Sequence, residues 1–281
     1  MPRLLTQRIG FAFLVFVTVM VVLPIILIVG AIVVKGAPAI TAEFLTSAPR
    51  DGMRAGGIWP AIVGTFWLTV GTAVFSVPFG VAIAIYLSEY ARDNTFTRSI
   101  RMAIINLAGI PSVVYGLFGL GLFVLALQFG SSILAGSLTL SIMTLPVIIS
   151  TSEEALRSVP QSFRTVSVSL GGTRWQTIRR IILPQALPGI LTGVILGLER
   201  AAGETAPILF TAAAFFLPQL PASIFDKTMA LPYHLFVIST QVPGMPIQIQ
   251  FGTALVLLVF VLTMNLIAAT IRSYYRRKRQ W

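Results

Sequence analysis

Residues 11–34 carry no charged side chain. About 20 apolar residues in a helix suffice to cross the ~30 Å hydrocarbon core of a bilayer. Backbone polar groups in that layer must pair within the chain. The run therefore predicts a first membrane-spanning helix over about 11–34. It exceeds the short apolar core of a cleavable leader, so the span is expected to stay uncleaved. Residues 58–88 form a second uncharged run of 31, and residues 102–152 a third of 51, too long for one crossing. The segment QFGSS at 128–132 supplies a turn, which splits the third run into spans three and four. Span two is expected over about 64–88, with GGIWPAI as an elbow along the interface, where Trp59 and Pro60 belong. Spans five and six are expected over about 186–217 and 249–271. The chain thus divides into residues 1–57 (tail, first span and outer loop), a membrane-spanning core over 58–271, and a basic tail over 272–281, whose RRKR at 276–279 reads as an inner-surface anchor.

Charge orients these spans. With the N-terminus on the cytoplasmic side, 15 of the 20 basic residues fall inside and four outside, namely Lys35, Arg50, Arg54 and Lys227. That bias obeys the positive-inside rule and puts both termini in the cytoplasm. It also accounts for the net charge of +11 without invoking nucleic acid. The absence of cysteine removes thiol catalysis, disulfides and cysteine-ligated metals. There is no GxxxxGK[ST] phosphate loop, so no catalytic, metal or cofactor site is expected in this chain. The lone histidine, His234, reads as incidental, in a loop between prolines.

Between spans four and five lies the cytoplasmic loop 152–184, read as two short helices around Gly171 and Gly172. Gly171 is followed after nine residues by Ile181-x-Leu183-Pro184. A glycine there allows a tight bend, and proline suits a helix start. This spacing resembles the E-A-A-x3-G-x9-I-x-L-P motif of the permease subunits of bacterial ABC importers. The E-A-A positions hold Thr165, Val166 and Ser167. GGIWPAIVGT (56–65), GIPSVVYGLFGLG (109–121), EALRSVP (154–160) and RAAGETAPILFT (200–211) are similar to the A-type permeases of the Pst phosphate importers. The resemblance implies an all-α integral inner-membrane fold with six transmembrane helices, in the type I ABC importer (MetI-like) architecture. It further implies a homologous C-type permease as heterodimer partner, two copies of an ABC ATPase, a periplasmic phosphate-binding protein, and inorganic phosphate as substrate. Residues Thr165, Gly171, Gly172, Ile181, Leu183 and Pro184 would then couple the chain to the ATPase.

The stretch GLERAAGETAPILF (197–210) places Glu199, Arg200 and Glu204 inside an apolar segment. A charge at the bilayer centre costs about 2.5–3.5 kcal/mol on insertion scales, so it usually faces the bundle interior or a wet path. Thirteen residues between Thr205 and Pro218 are too few to cross, so the charges are expected within span five. Arg200 and Glu204, four apart, share a helix face, with Thr205 on a neighbouring one. Glu199 projects elsewhere and reads as a packing partner. Guanidinium matches phosphate oxygens, and a carboxylate can accept the proton that phosphate, unlike sulfate, retains near neutral pH. Two readings remain open: Arg200, Glu204 and Thr205 line a substrate path, or Arg200 and Glu204 simply neutralise each other. A permease for another oxyanion (molybdate, sulfate, phosphonate) and a proton-coupled secondary transporter using Glu204 are the alternatives. Gly116, Gly119 and Gly121 are expected at close helix contacts.

Overall fold

A computed structural model describes residues 2–277, with side chains over 7–274. The side chains of the RRKR tail lie outside that range. Helix α1 (Pro2–Gly36) holds the first apolar run, and its membrane-spanning stretch buries nothing in the core. It packs against the last helix, the twelfth (Ile247–Arg277). At their contact a Cβ on Gly36 would meet the backbone of Phe251. An outer segment follows, with α2 (Ala42–Thr46) and a short antiparallel pair, β1 (Pro49–Arg50) and β2 (Ala55–Gly56).

Helix α3 (Trp59–Ile85) runs on through a π-helical turn, Tyr86–Tyr90. The expected elbow at GGIWPAI is not separate. Trp59 and Pro60 form the first turn of the span, where a proline sacrifices no helical hydrogen bond. The sharp bend falls instead in span three. Helix α4 (Thr95–Ala108) meets α5 (Ser112–Gly119) at 102°, and α5 continues as π turns over Leu120–Ala126. Pro111 disfavours helical backbone at Ile110, and the Tyr115 hydroxyl donates to Leu107 O at 2.7 Å across the bend. The turn at 128–132 forms as expected, with left-handed backbone at Gln128 and Gly130. Ser132 then caps α6 (Ile133–Arg157). Among the described residues five helices are long and apolar enough to cross a membrane, and the bent α4–α5 pair makes six.

The loop 152–184 holds α7 (Gln161–Ser169) and α8 (Arg174–Thr177), the latter leading through a π turn, Ile178–Ile182, into α9 (Leu183–Gly203). Pro184 therefore does not start a separate helix after a loop. It follows the wide turn, which accommodates its missing N–H and its bulky ring. Span five ends at Gly203 rather than near 217. Its continuation is the short α10 (Ala206–Thr211), then irregular chain up to α11 (Leu231–Thr240) and α12 (Ile247–Arg277). His234 is helical and buried on α11, not in a loop, because Pro232 begins that helix.

Helices α3, α6 and α9 form the centre. Buried Thr65, Thr69 and Thr72 bond back to carbonyls four residues earlier, while Ser141 of α6 donates to Thr72 O of α3 at 3.1 Å. Such hydroxyls pair in apolar surroundings without breaking the helix. Helix α9 meets α6 through Gly189, Gly193 and Gly197, which face Ala155, Thr151 and Ile148. Four-residue spacing of small residues lets the two backbones approach closely. Gly116 and Gly119 sit at tight contacts as expected, whereas Gly121 faces open space.

One close approach yields a test. A Cβ on Gly64 would strike the Met229 carbonyl oxygen and Thr228 Oγ1, next to the point where Thr65 Oγ1 accepts from Leu231 N at 2.8 Å. Overpacking of this kind costs about 1–3 kcal/mol. Gly64→Ala should lower folded yield and thermal midpoint in detergent, and Gly121→Ala should leave both unchanged.

Candidate functional site

Sequence chemistry interrupts span five. Pro207 has no N–H to give to the Gly203 carbonyl, and its ring crowds that group. The helix stops at Gly203, Glu204 adopts extended backbone (φ −77, ψ 138), and α10 begins at Ala206. The charges therefore straddle a helix end rather than lying within one continuous helix.

Arg200 Nε and Glu204 Oε1 form an ion pair at 3.4 Å. The Arg200 side chain keeps 35% of its surface exposed and that of Glu204 18%. The Arg200 Nη groups have no hydrogen-bond partner among the described residues. Thr205 is half-buried beside them, with no capping bond from its hydroxyl. Gly116 of α5 packs against Ala206 O, Pro207 and Phe210, so the broken third span rests on the interruption in the fifth.

The depth of this site follows from the neighbouring helix. Arg272 of α12 reaches Thr192 of α9 at 3.4 Å, and Glu199 shares a cleft with Met264. Arg200 thus sits at about the level of Met264, eight residues from Arg272. At 1.5 Å per residue this is ~12 Å along α12 from the level of Arg272. Glu199 faces away from Arg200 into an apolar cleft of about 170 Å³ between α9 and α12, and its Oε1 has no hydrogen-bond partner among the described residues.

The two-helix reading of the loop 152–184 is correct. Gly171 has φ +80. Its N–H bonds to Val168 O at 2.9 Å, and the Gly172 N–H to Ser167 O at 3.0 Å. This pair of bonds is the glycine-dependent helix stop that satisfies terminal carbonyls. Thr173 and Gln176 form a reciprocal capping box at the start of α8. Ser167 and Thr177 hydroxyls, 2.7 Å apart, hold α7 to α8. Thr165 is exposed on α7. Ile181 lines an apolar cleft of about 400 Å³ with Phe163, Val166 and Leu170, while Leu183 and Pro184 are half-buried at the base. Val166, Val168, Leu170 and Trp175 are exposed. A cluster of apolar side chains outside the lipid is characteristic of a protein contact surface.

Sequence reasoning missed two ion-pair groups at this end. Arg164 of α7 pairs with Glu89 at 2.6 Å, and Glu153 of α6 binds both Arg101 at 2.8 Å and Arg157 at 2.9 Å. The available signal was an acidic residue at each span end amid many arginines.

Residues 76–280 match the family described as binding-protein-dependent transport system inner membrane component. The chain is 34% identical over 272 residues to the phosphate transport system permease protein PstA 1 of Mycobacterium tuberculosis (strain ATCC 25618 / H37Rv), covering 93% of this chain and 86% of that protein. It is 33% identical over 261 residues to the probable ABC transporter permease protein YqgI of Bacillus subtilis (strain 168), covering 88% of each. The fold is similar to that of a bacterial ABC transporter involved in the import of the acidic polysaccharide alginate, with a TM-score of 0.65 and 16% identity over 95% of this chain and 99% of that one. With its six-span helical core, helix-stop loop and GETAP interruption, the chain belongs to the family of binding-protein-dependent transport system inner membrane components, among the PstA-type permeases.

Proposed function

We propose that this chain is a transmembrane permease subunit of an ATP-driven inorganic phosphate importer and forms half of its translocation path. The observation that carries the reading is Arg200. Its guanidinium is partly exposed beside a helix interruption in an otherwise apolar segment, with Nη donors that no described residue uses. Similarity to proteins named as phosphate transport system permeases supports phosphate as the anion. The planar fork suits phosphate oxygens. Glu204, one carboxylate away, accepts the proton that phosphate retains and repels an unprotonated oxyanion. Thr205 adds a hydroxyl at the same level.

The remaining parts follow from this reading. A homologous C-type permease supplies the other half of the path, two copies of an ABC ATPase dock on α7 and α8, and a periplasmic phosphate-binding protein delivers substrate. The chain itself catalyses no reaction and carries no cofactor. The bias of its basic residues supports both termini in the cytoplasm. The core over 58–271 does the transport, and the segments at either end anchor it.

Reconstituted in vesicles with its partners, the complex should take up phosphate only with ATP and should survive collapse of the proton gradient. Uptake that persists with an inactive ATPase and stops when the gradient collapses would instead mark a secondary transporter. The Arg200–Glu204 ion pair favours a second reading, mutual neutralisation, and Glu204→Gln separates the two. The amide can donate to an unprotonated oxyanion, so sulfate should become an effective competitor while yield is kept. Because a binding protein also filters anions, the assay needs a variant complex that works without one. Poor assembly with unchanged selectivity would leave only neutralisation.

A further inference from the structure

The loop helix α7 touches the membrane-embedded body at few places, and one side chain makes most of the polar ones. Arg164 donates from Nε to Glu89 Oε2 at 3.2 Å and from Nη2 to Glu89 Oε1 at 2.6 Å. It also donates to Val159 O at 2.7 Å and to Leu156 O at 3.0 Å. One guanidinium therefore joins three elements. It grips Glu89 in two-pronged fashion at the end of α3, closes the Leu156 carbonyl in the last turn of α6 and the Val159 carbonyl just beyond it, and belongs to α7 itself. The side chains are 17% and 8% exposed. Charge-assisted two-pronged bonds fix orientation as well as distance, and half of such a pair left alone in a buried setting is costly.

The location of Glu89 matters as much as its partner. It lies in the π-helical turn Tyr86–Tyr90 that ends α3. Turns of this width redirect the side chains that follow them. From there α3 runs across the membrane and packs along α6, then reaches the outer chain where Gly64 meets Met229. The covalent route out of the loop is different: it goes from α8 through the π turn 178–182 into α9. The loop thus has two mechanical outlets, one along the chain into α9 and one through Arg164 into α3 and the end of α6.

We propose that Arg164 and Glu89 are positioning residues that make α7, the end of α3 and the end of α6 move as one body, so that a displacement of the loop helices reaches α3 directly and not only through α9. This rests on the reading of the chain as an ATP-driven permease. Breaking the pair uncouples: the ATPase still docks on the exposed face of α7 and still turns over, but α3 does not follow.

The test uses the complete reconstituted complex and reads two quantities together, ATP hydrolysed and phosphate taken up. Glu89→Gln should keep hydrolysis within about twofold of wild type and lower uptake at least tenfold, so that the ratio of ATP to phosphate rises by a similar factor. Arg164→Lys keeps the charge but not the fork and should fall between. The chain has no cysteine, so a Glu89→Cys, Arg164→Cys double variant can be bridged by a short bifunctional thiol reagent. Uptake should be low before bridging and return after it, because a covalent strut replaces the salt bridge. A loss of hydrolysis and uptake in equal proportion, normal uptake by Glu89→Gln, or a bridge that fails to restore uptake would each overturn the link. If the wild-type complex itself does not couple ATP to phosphate, the permease reading falls; if it couples and the variants match it, only the Arg164–Glu89 link falls.

Discussion

Arg200→Gln should abolish most phosphate uptake while the protein still inserts and assembles. Hydrogen bonds to a charged group contribute about 1.5–3 kcal/mol each, which corresponds to ~10- to 150-fold in binding. Glutamine keeps a polar end but neither the charge nor the fork. The single variant has a confounding consequence, because it leaves the Glu204 carboxylate, 18% exposed, without its 3.4 Å partner. An unpaired charge at that depth lowers stability by itself. The double variant Arg200→Gln, Glu204→Gln removes that penalty. If Arg200 contacts the anion, the double variant should assemble at wild-type yield and remain inactive. Uptake restored in the double variant would mean that the pair serves only to neutralise itself.

Gly171→Val should disconnect the ATPase. Gly171 has φ +80 and open space where a Cβ would go. The cost of a side chain here is therefore conformational and not steric contact with neighbours. A β-branched residue in left-handed backbone carries strain of about 1–3 kcal/mol, enough to shift a local equilibrium by ~5- to 150-fold. The bonds from Gly171 to Val168 O and from Gly172 to Ser167 O would give way, and α7 would lose its fixed angle to α8. ATPase association and stimulated hydrolysis should fall about tenfold or more, with binding-protein contacts on the outer face unchanged. Asparagine tolerates left-handed backbone, so Gly171→Asn should retain most coupling. A Gly171→Val complex with wild-type transport would remove the loop from the coupling route.

Much of this architecture is written in runs without charge. The spans of α1, α3 and α12 follow from such runs, because hydrocarbon tolerates only paired backbone and apolar surface. The bend at 109–111 does not, since residues 102–152 are uncharged throughout and hydropathy is blind to direction. Proline carried the information but in two senses. Pro111 breaks a span and Pro207 ends one, whereas Pro60 and Pro232 begin helices, and the neighbouring packing decides which applies. The Arg200–Glu204 pair was legible because charge is rare within an apolar stretch of span length. Glu89 and Arg164 were not, as they lie 75 residues apart and each looks unexceptional among other charges near the cytoplasm. The contact of Gly189, Gly193 and Gly197 with α6 went unread, because a spacing of small residues does not say which helix lies opposite.

The pairing of α1 with α12 has a consequence for biogenesis. Helix α1 has α12 as its main partner, and residues 37–246 must be synthesised between them. At about 5–20 residues per second, α1 waits roughly 10–40 s in lipid with its eventual neighbour still unmade. A helix in that position must be soluble in the bilayer on its own, and α1 is: its side chains over 9–34 are apolar or small apart from Thr18, whose hydroxyl is turned back onto Leu14 O at 2.8 Å. A charged substitution on α1 would therefore act before any folded protein exists, as failed retention in the membrane during synthesis, and would show as early degradation of the nascent chain instead of as a less stable product.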